Sequence, residues 1–71
     1  MIDLGGVSRE RLFRVIDEYI VGRHAERDRQ IMRRRLYDGV CFEPLAEEFG
    51  LSVQHVKRIV YQRECEIFSH L

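Results

Sequence analysis

The stretch LAEEFGLSVQHVKRIV, residues 45–60, decides how the rest of the chain is read. Leu45 and Phe49 before Gly50, and Val53, Val56 and Ile59 after it, recur at the three- and four-residue intervals of helices with one buried face. Two helices that cross steeply bring their backbones close at one point, and Ala46 supplies the small residue for that crossing. Gly50 supplies the residue that accepts a positive φ in a tight turn. Leu51 then plugs the core, and Ser52 caps the next helix by accepting from the amide of Gln54 or His55. Small residue, turn residue, cap and apolar positions fall in one register, so the expectation is a helix-turn-helix over residues 42–61. A helical hairpin with a glycine turn would share only part of this pattern.

Outward from this pair, Gly22 and Gly39 cut the chain again, and each segment has helical periodicity. Within the short helix Phe42 to Phe49, Pro44 falls in the first turn, where its missing amide costs no intrahelical bond. Leu45, Ala46 and Phe49 face inward there, while Glu43, Glu47 and Glu48 face solvent. The last helix begins after Ser52 and runs nearly to the C-terminus, with Val53, Val56, Ile59, Val60 and Ile67 along one side. Arg63 interrupts that row, so either burial fades there or Arg63 meets an acid. Before the pair, HAERDRQIMRRRLYDG (24–39) turns Ile31, Met32, Leu36 and Tyr37 toward the core. Its acids Glu26 and Asp28 lie near the start and its arginines near the end, as the helix dipole favours. A first helix runs from a Ser8 cap to Val21, with Leu12, Val15, Ile16, Tyr19 and Ile20 as its buried stripe. The expected organisation is a flexible tail over residues 1–7 and one all-α, four-helix domain over 8–71 that ends in a long C-terminal helix.

Composition narrows the function classes. A chain of 71 residues, 45% hydrophobic and 34% charged, fits one small folded domain rather than a disordered segment. It contains no run near the roughly 20 apolar residues of a membrane span. The opening MIDLGGVS lacks the basic start and apolar stretch of a signal peptide, so a cytoplasmic protein is expected. Cys41 and Cys65 share no metal-type spacing and are too few for a disulfide scaffold. With His24, His55 and His70 they suggest no metal site, and no cofactor is expected. Nucleophile–base pairs, phosphate-cradling glycine loops and paired catalytic acids are all missing, which argues against an enzyme.

Net charge is zero, with 12 basic and 12 acidic residues. Its distribution is uneven: residues 23–39 hold six arginines against three acids, and residues 40–50 hold three glutamates and no base. A neutral chain with a basic face can bind DNA where an evenly mixed one binds it poorly.

From Ala25 to Val60 the chain resembles the fourth conserved region of the sigma-70 family of bacterial transcription initiation factors. That family's pattern is an arginine- and acid-rich helix, a glycine-ended turn, an E-x-(I/L)-A helix, G-L-S and a recognition helix. Glu43, Leu45, Ala46, Gly50, Leu51, Ser52 and Val56 match it, and Asp38-Gly39 fits its turn. The resemblance covers about half the chain, and other helix-turn-helix families share single letters of it. Cys41 departs from the usual Ser or Thr cap, Pro44 replaces a common glutamate, and Arg34 stands near a frequent leucine. The chain has no room for the separate region that binds core polymerase. The resemblance therefore implies a small stand-alone regulator of bacterial or phage origin.

The expected function is sequence-specific DNA binding in transcription regulation. Opposite the apolar face of the last helix lie Gln54, His55, Lys57, Arg58, Tyr61 and Gln62, an arc without an acid. Placed in the major groove of double-stranded DNA, Gln54 could pair with an adenine edge and Arg58 with guanine O6 and N7. Ser52, His55, Lys57 and Tyr61 would touch phosphate or fix the register. Arg33, Arg34 and Arg35 either add backbone contacts or form an ordinary solvated surface, the simpler reading. A module this small would gain from a homodimer through Ile67, Phe68 and Leu71, or from tethering to RNA polymerase; the same residues could also pack within one copy. Two rival functions stay open: a module that binds polymerase or another regulator without reading DNA, and a phage DNA-packaging or recombination accessory protein.

Overall fold

The computed structural model describes residues 6–71, so residues 1–5 of the expected tail lie outside the described residues. Four helices follow one another: α1 (Arg9–Tyr19), α2 (Ala25–Leu36), α3 (Phe42–Phe49) and α4 (Val53–Phe68). Among the described residues there is no strand.

Ser8 caps α1, its hydroxyl accepting from the Arg11 amide at 3.1 Å. The helix stops at Tyr19, two residues before the expected Val21. Ile20 leaves the helical region (φ −89°, ψ 104°) and is fully buried. The extended backbone lets Ile20 continue the stripe of Leu12, Val15 and Ile16 into the core. Tyr19 is consequently not a core residue: it is exposed, and its ring stacks on that of His70 with centroids 3.6 Å apart. In α2, Ile31, Met32 and Leu36 are buried as their spacing requires. Tyr37 instead lies outside, edge-on to Phe13 at 5.5 Å.

The α3–α4 connection follows from its residues. Gly50 sits in the left-handed region (φ 65°, ψ 33°). Its amide donates to Glu47 O at 3.3 Å and the Leu51 amide to Ala46 O at 2.9 Å. These two bonds are the Schellman pair that satisfies a helix's last carbonyls. Ser52 then caps α4, accepting from the His55 amide at 3.1 Å. α3, lacking a serine, starts at Cys41 with no side-chain cap.

α4 packs against the other three helices, and all four contribute to one core. Val7 packs against that core as well. At the C-terminus Ile67 is fully buried and Leu71 packs against the core, while Phe68 remains exposed. Arg11 donates to the Leu71 carbonyl at 3.2 Å. The C-terminal residues thus pack on α1, and Ile67 is taken up inside a single copy. Among the described residues no helix is long and apolar enough to cross a membrane.

Candidate nucleic-acid interface

The repeat of α4 divides it cleanly. Val56, Ile59, Val60 and Ile67 are buried, and Gln54, Lys57, Arg58, Tyr61 and Gln62 are exposed on the other side. His55 lies between the two faces, half-buried. Exposed Ser52 accepts from the His55 amide as the cap, which leaves its O–H proton able to donate. Tyr61 is 54% exposed. Neither Lys57 nor Arg58 forms an ion pair among the described residues.

The consecutive arginines of α2 do not act together. Arg33 pairs with Asp17 of α1, its guanidinium 5.3 Å from the Phe13 ring centre. Arg34 grips Glu48 of α3 with contacts of 2.8–3.2 Å and also reaches Asp38 at 3.1 Å. Hydrogen bonding to Glu48, then to Asp38, raises the Arg34 pKa. Arg35 alone has no acid partner among the described residues. It donates to the Val40 carbonyl at 3.0 Å and lies 4.2 Å over the Phe42 ring. One hundred degrees of rotation per residue sends the three side chains to α1, to α3 and to the start of the helix-turn-helix.

Phe42 therefore gathers charge from two elements. The Lys57 ammonium of α4 lies 5.6 Å from the same ring centre, and Tyr61 meets the ring edge-on at 5.9 Å. Beside them opens a cleft of about 290 Å³ lined by Cys41, Phe42, Glu43, Pro44, Val53 and Lys57. The sequence marked Phe42 only as the start of a helix. Its role depends on α2 and α4 meeting there, which no spacing within α3 encodes.

Arg63 resolves the interruption in the α4 row by meeting an acid. It reaches the buried Asp28 of α2 at 2.9 Å, Glu66 at 2.9 Å and the Val21 carbonyl at 3.2 Å. Burial alone would lower its pKa, but hydrogen bonds to Glu66 and Asp28 outweigh burial, and the pKa is raised. This arginine belongs to the scaffold, not to the outer arc.

A second cleft, about 280 Å³, is lined by residues of α1, α2 and α3. Phe13, Tyr37 and Phe49 give it aromatic walls, with Arg9, Arg33 and Arg34 at its edge. Arg9 sits over both Phe13 and Tyr37, at 5.2 and 4.8 Å. Among the described residues no three His, Cys, Asp or Glu side chains come together as a metal set. No family model, curated protein or solved structure matches the chain.

Proposed function

We propose that this protein is a DNA-binding domain of a transcription regulator, its α4 entering the major groove. One observation carries the reading: the exposed side chains of α4 from Gln54 to Gln62 include no acid, the half-buried Glu64 coming only beyond them, and Lys57 and Arg58 have no carboxylate partner among the described residues. Elsewhere among the described residues, Arg27, Arg33, Arg34 and Arg63 are each matched by an acid, while Arg9, Arg11, Arg14, Arg23, Arg29 and Arg35 are not. It is therefore the lack of acid among the exposed side chains from Gln54 to Gln62 that distinguishes this face. Gln54 and Arg58 are the base readers in this arrangement, while Lys57 and Tyr61 contact the backbone. The resemblance to sigma-70 region 4 supports the same use of the motif.

The test is titration against duplex DNA of random sequence at several salt concentrations. Phosphate contact makes log affinity fall linearly with log salt. Binding that is absent at low salt, or indifferent to salt, would refute the reading. The aromatic cleft beside Arg9 favours a second reading, in which the domain docks on RNA polymerase or another regulator. A pull-down of polymerase that is lost on Phe13→Ser but kept on Arg58→Ala would support it.

A further inference from the structure

We propose that Phe42 is a positioning residue for DNA-backbone binding: its ring holds Arg35 and Lys57 as a two-cation clamp for phosphodiester oxygens, beside the groove-entering face of α4. The inference rests on the DNA-binding reading and adds to it the element that grips the backbone. Arg35 comes from the last turn of α2 and Lys57 from the second turn of α4, so their meeting is a product of the fold. Both lie over the Phe42 ring, at 4.2 and 5.6 Å from its centre.

Two like charges on one ring repel each other, and a ring face attracts each without neutralising either. Ion pairs elsewhere in this protein resolve that cost with carboxylates: Asp17 for Arg33, Asp38 and Glu48 for Arg34, Asp28 and Glu66 for Arg63. Around Phe42 the available acid is Glu43, which lines the adjoining cleft, yet it pairs with neither cation among the described residues. The two charges are left for an anion from outside. Tyr61, edge-on to the same ring and largely exposed, connects this group to the outer arc of α4. A strand backbone running past the arc would meet Lys57 and Arg35 in succession. Phosphodiester is the anion suited to two cations flanking a helix that reads bases.

Salt-dependent titration of random duplex DNA, with wild type, Lys57→Gln, Arg35→Gln, Phe42→Leu and Phe42→Tyr, tests the clamp. Each lost phosphate contact reduces the steepness of the log–log slope by about 0.9, so Lys57→Gln and Arg35→Gln should each flatten it by about that amount. Phe42→Leu keeps both charges but loses the ring face, and should weaken binding several-fold and flatten the slope. Phe42→Tyr, which keeps the face, should restore both. Circular dichroism melts establish that the Phe42 variants fold, and Arg35→Gln, whose contact the outer arc of α4 alone does not supply, decides the matter if Phe42→Leu does not. Wild-type binding with an unchanged slope in Lys57→Gln and Arg35→Gln would overturn the clamp and leave the DNA reading standing. No salt-dependent binding by wild type would remove both.

Discussion

Arg63 occupies a position that the helical repeat of α4 assigns to the core, between Ile59 and Val60 on one side and Ile67 on the other. Its side chain is 12% exposed and that of Asp28 only 6%, so both charges have given up most of their water. A buried pair of this kind adds little net stability compared with apolar replacements, yet removing one partner strands the other. Asp28→Ala should therefore cost about 3 kcal/mol, at the lower end for such pairs because Glu66 and the Val21 carbonyl still hold Arg63. Stability for a domain of this size is on the order of 4–11 kcal/mol, so the loss would be plain in urea unfolding. The double change Asp28→Leu with Arg63→Met should recover most of it. A loss under about 1 kcal/mol for Asp28→Ala would show the pair to be effectively solvated. Because the folded pKa of Arg63 is raised, its contribution is complete at lower pH and disappears only as pH rises through that folded value. From Arg63, then, stability should be flat with pH across the neutral range.

The elements obey rules that the sequence states openly in some places and conceals in others. Ser8 and Ser52 each cap through the amide of the third helical residue, Arg11 and His55. In α3 that third residue is Pro44, which has no amide to offer, so a serine at Cys41 would have one partner fewer. Cys41→Ser alone should thus add less than about 0.5 kcal/mol, whereas Cys41→Ser with Pro44→Glu rebuilds a capping box and should add about 1 kcal/mol. Thermal or urea unfolding reads the difference, and additive effects of the two changes would contradict the argument. At the other end of α3, a Cβ on Gly50 would meet nothing within 4 Å, so the conformation alone resists substitution. Gly50→Ala should cost about 1 kcal/mol, and Gly50→Asn less. The bounds of α3 and α4 were legible because Ser52, Gly50 and the apolar repeat all lie within a few residues of one another. The end of α1 was not, since Ile20 leaves the helix to reach a core that other elements build. Tyr19 and Tyr37 lie outside the core for a different reason: an aromatic at helical spacing can also lie across a surface ring, here those of His70 and Phe13. The outer arc of α4 could be read from periodicity, but the dispersal of Arg33, Arg34 and Arg35 required knowing where Asp17, Glu48 and Phe42 sit.

At the scale of the whole molecule, zero net charge conceals a division of labour among charges. Asp17, Asp38 and Glu48 are occupied by the α2 arginines, and Asp28 with Glu66 by Arg63. The outer arc of α4 is left cationic without the protein being basic. Salt at physiological strength screens exposed charges beyond about 8 Å, so a distant arginine contributes little to phosphate binding even when it changes the net charge equally. Three single variants separate local from net charge: Arg33→Gln, Arg34→Gln and Lys57→Gln each remove one positive charge. If binding followed net charge, all three would weaken DNA affinity alike. With α4 and the Phe42 cluster as the interface, Lys57→Gln should flatten the salt slope by about 0.9, while Arg33→Gln and Arg34→Gln leave it at the wild-type value. Arg58→Ala should behave differently again, costing about 1–3 kcal/mol on a selected site and relaxing preference at one base pair. Anisotropy titrations of all four at matched ionic strength provide the comparison. Equal flattening by Arg33→Gln and Lys57→Gln would mean that DNA reaches the α1-facing side of α2 beyond Arg35, with the Asp17 pair opening to let it in.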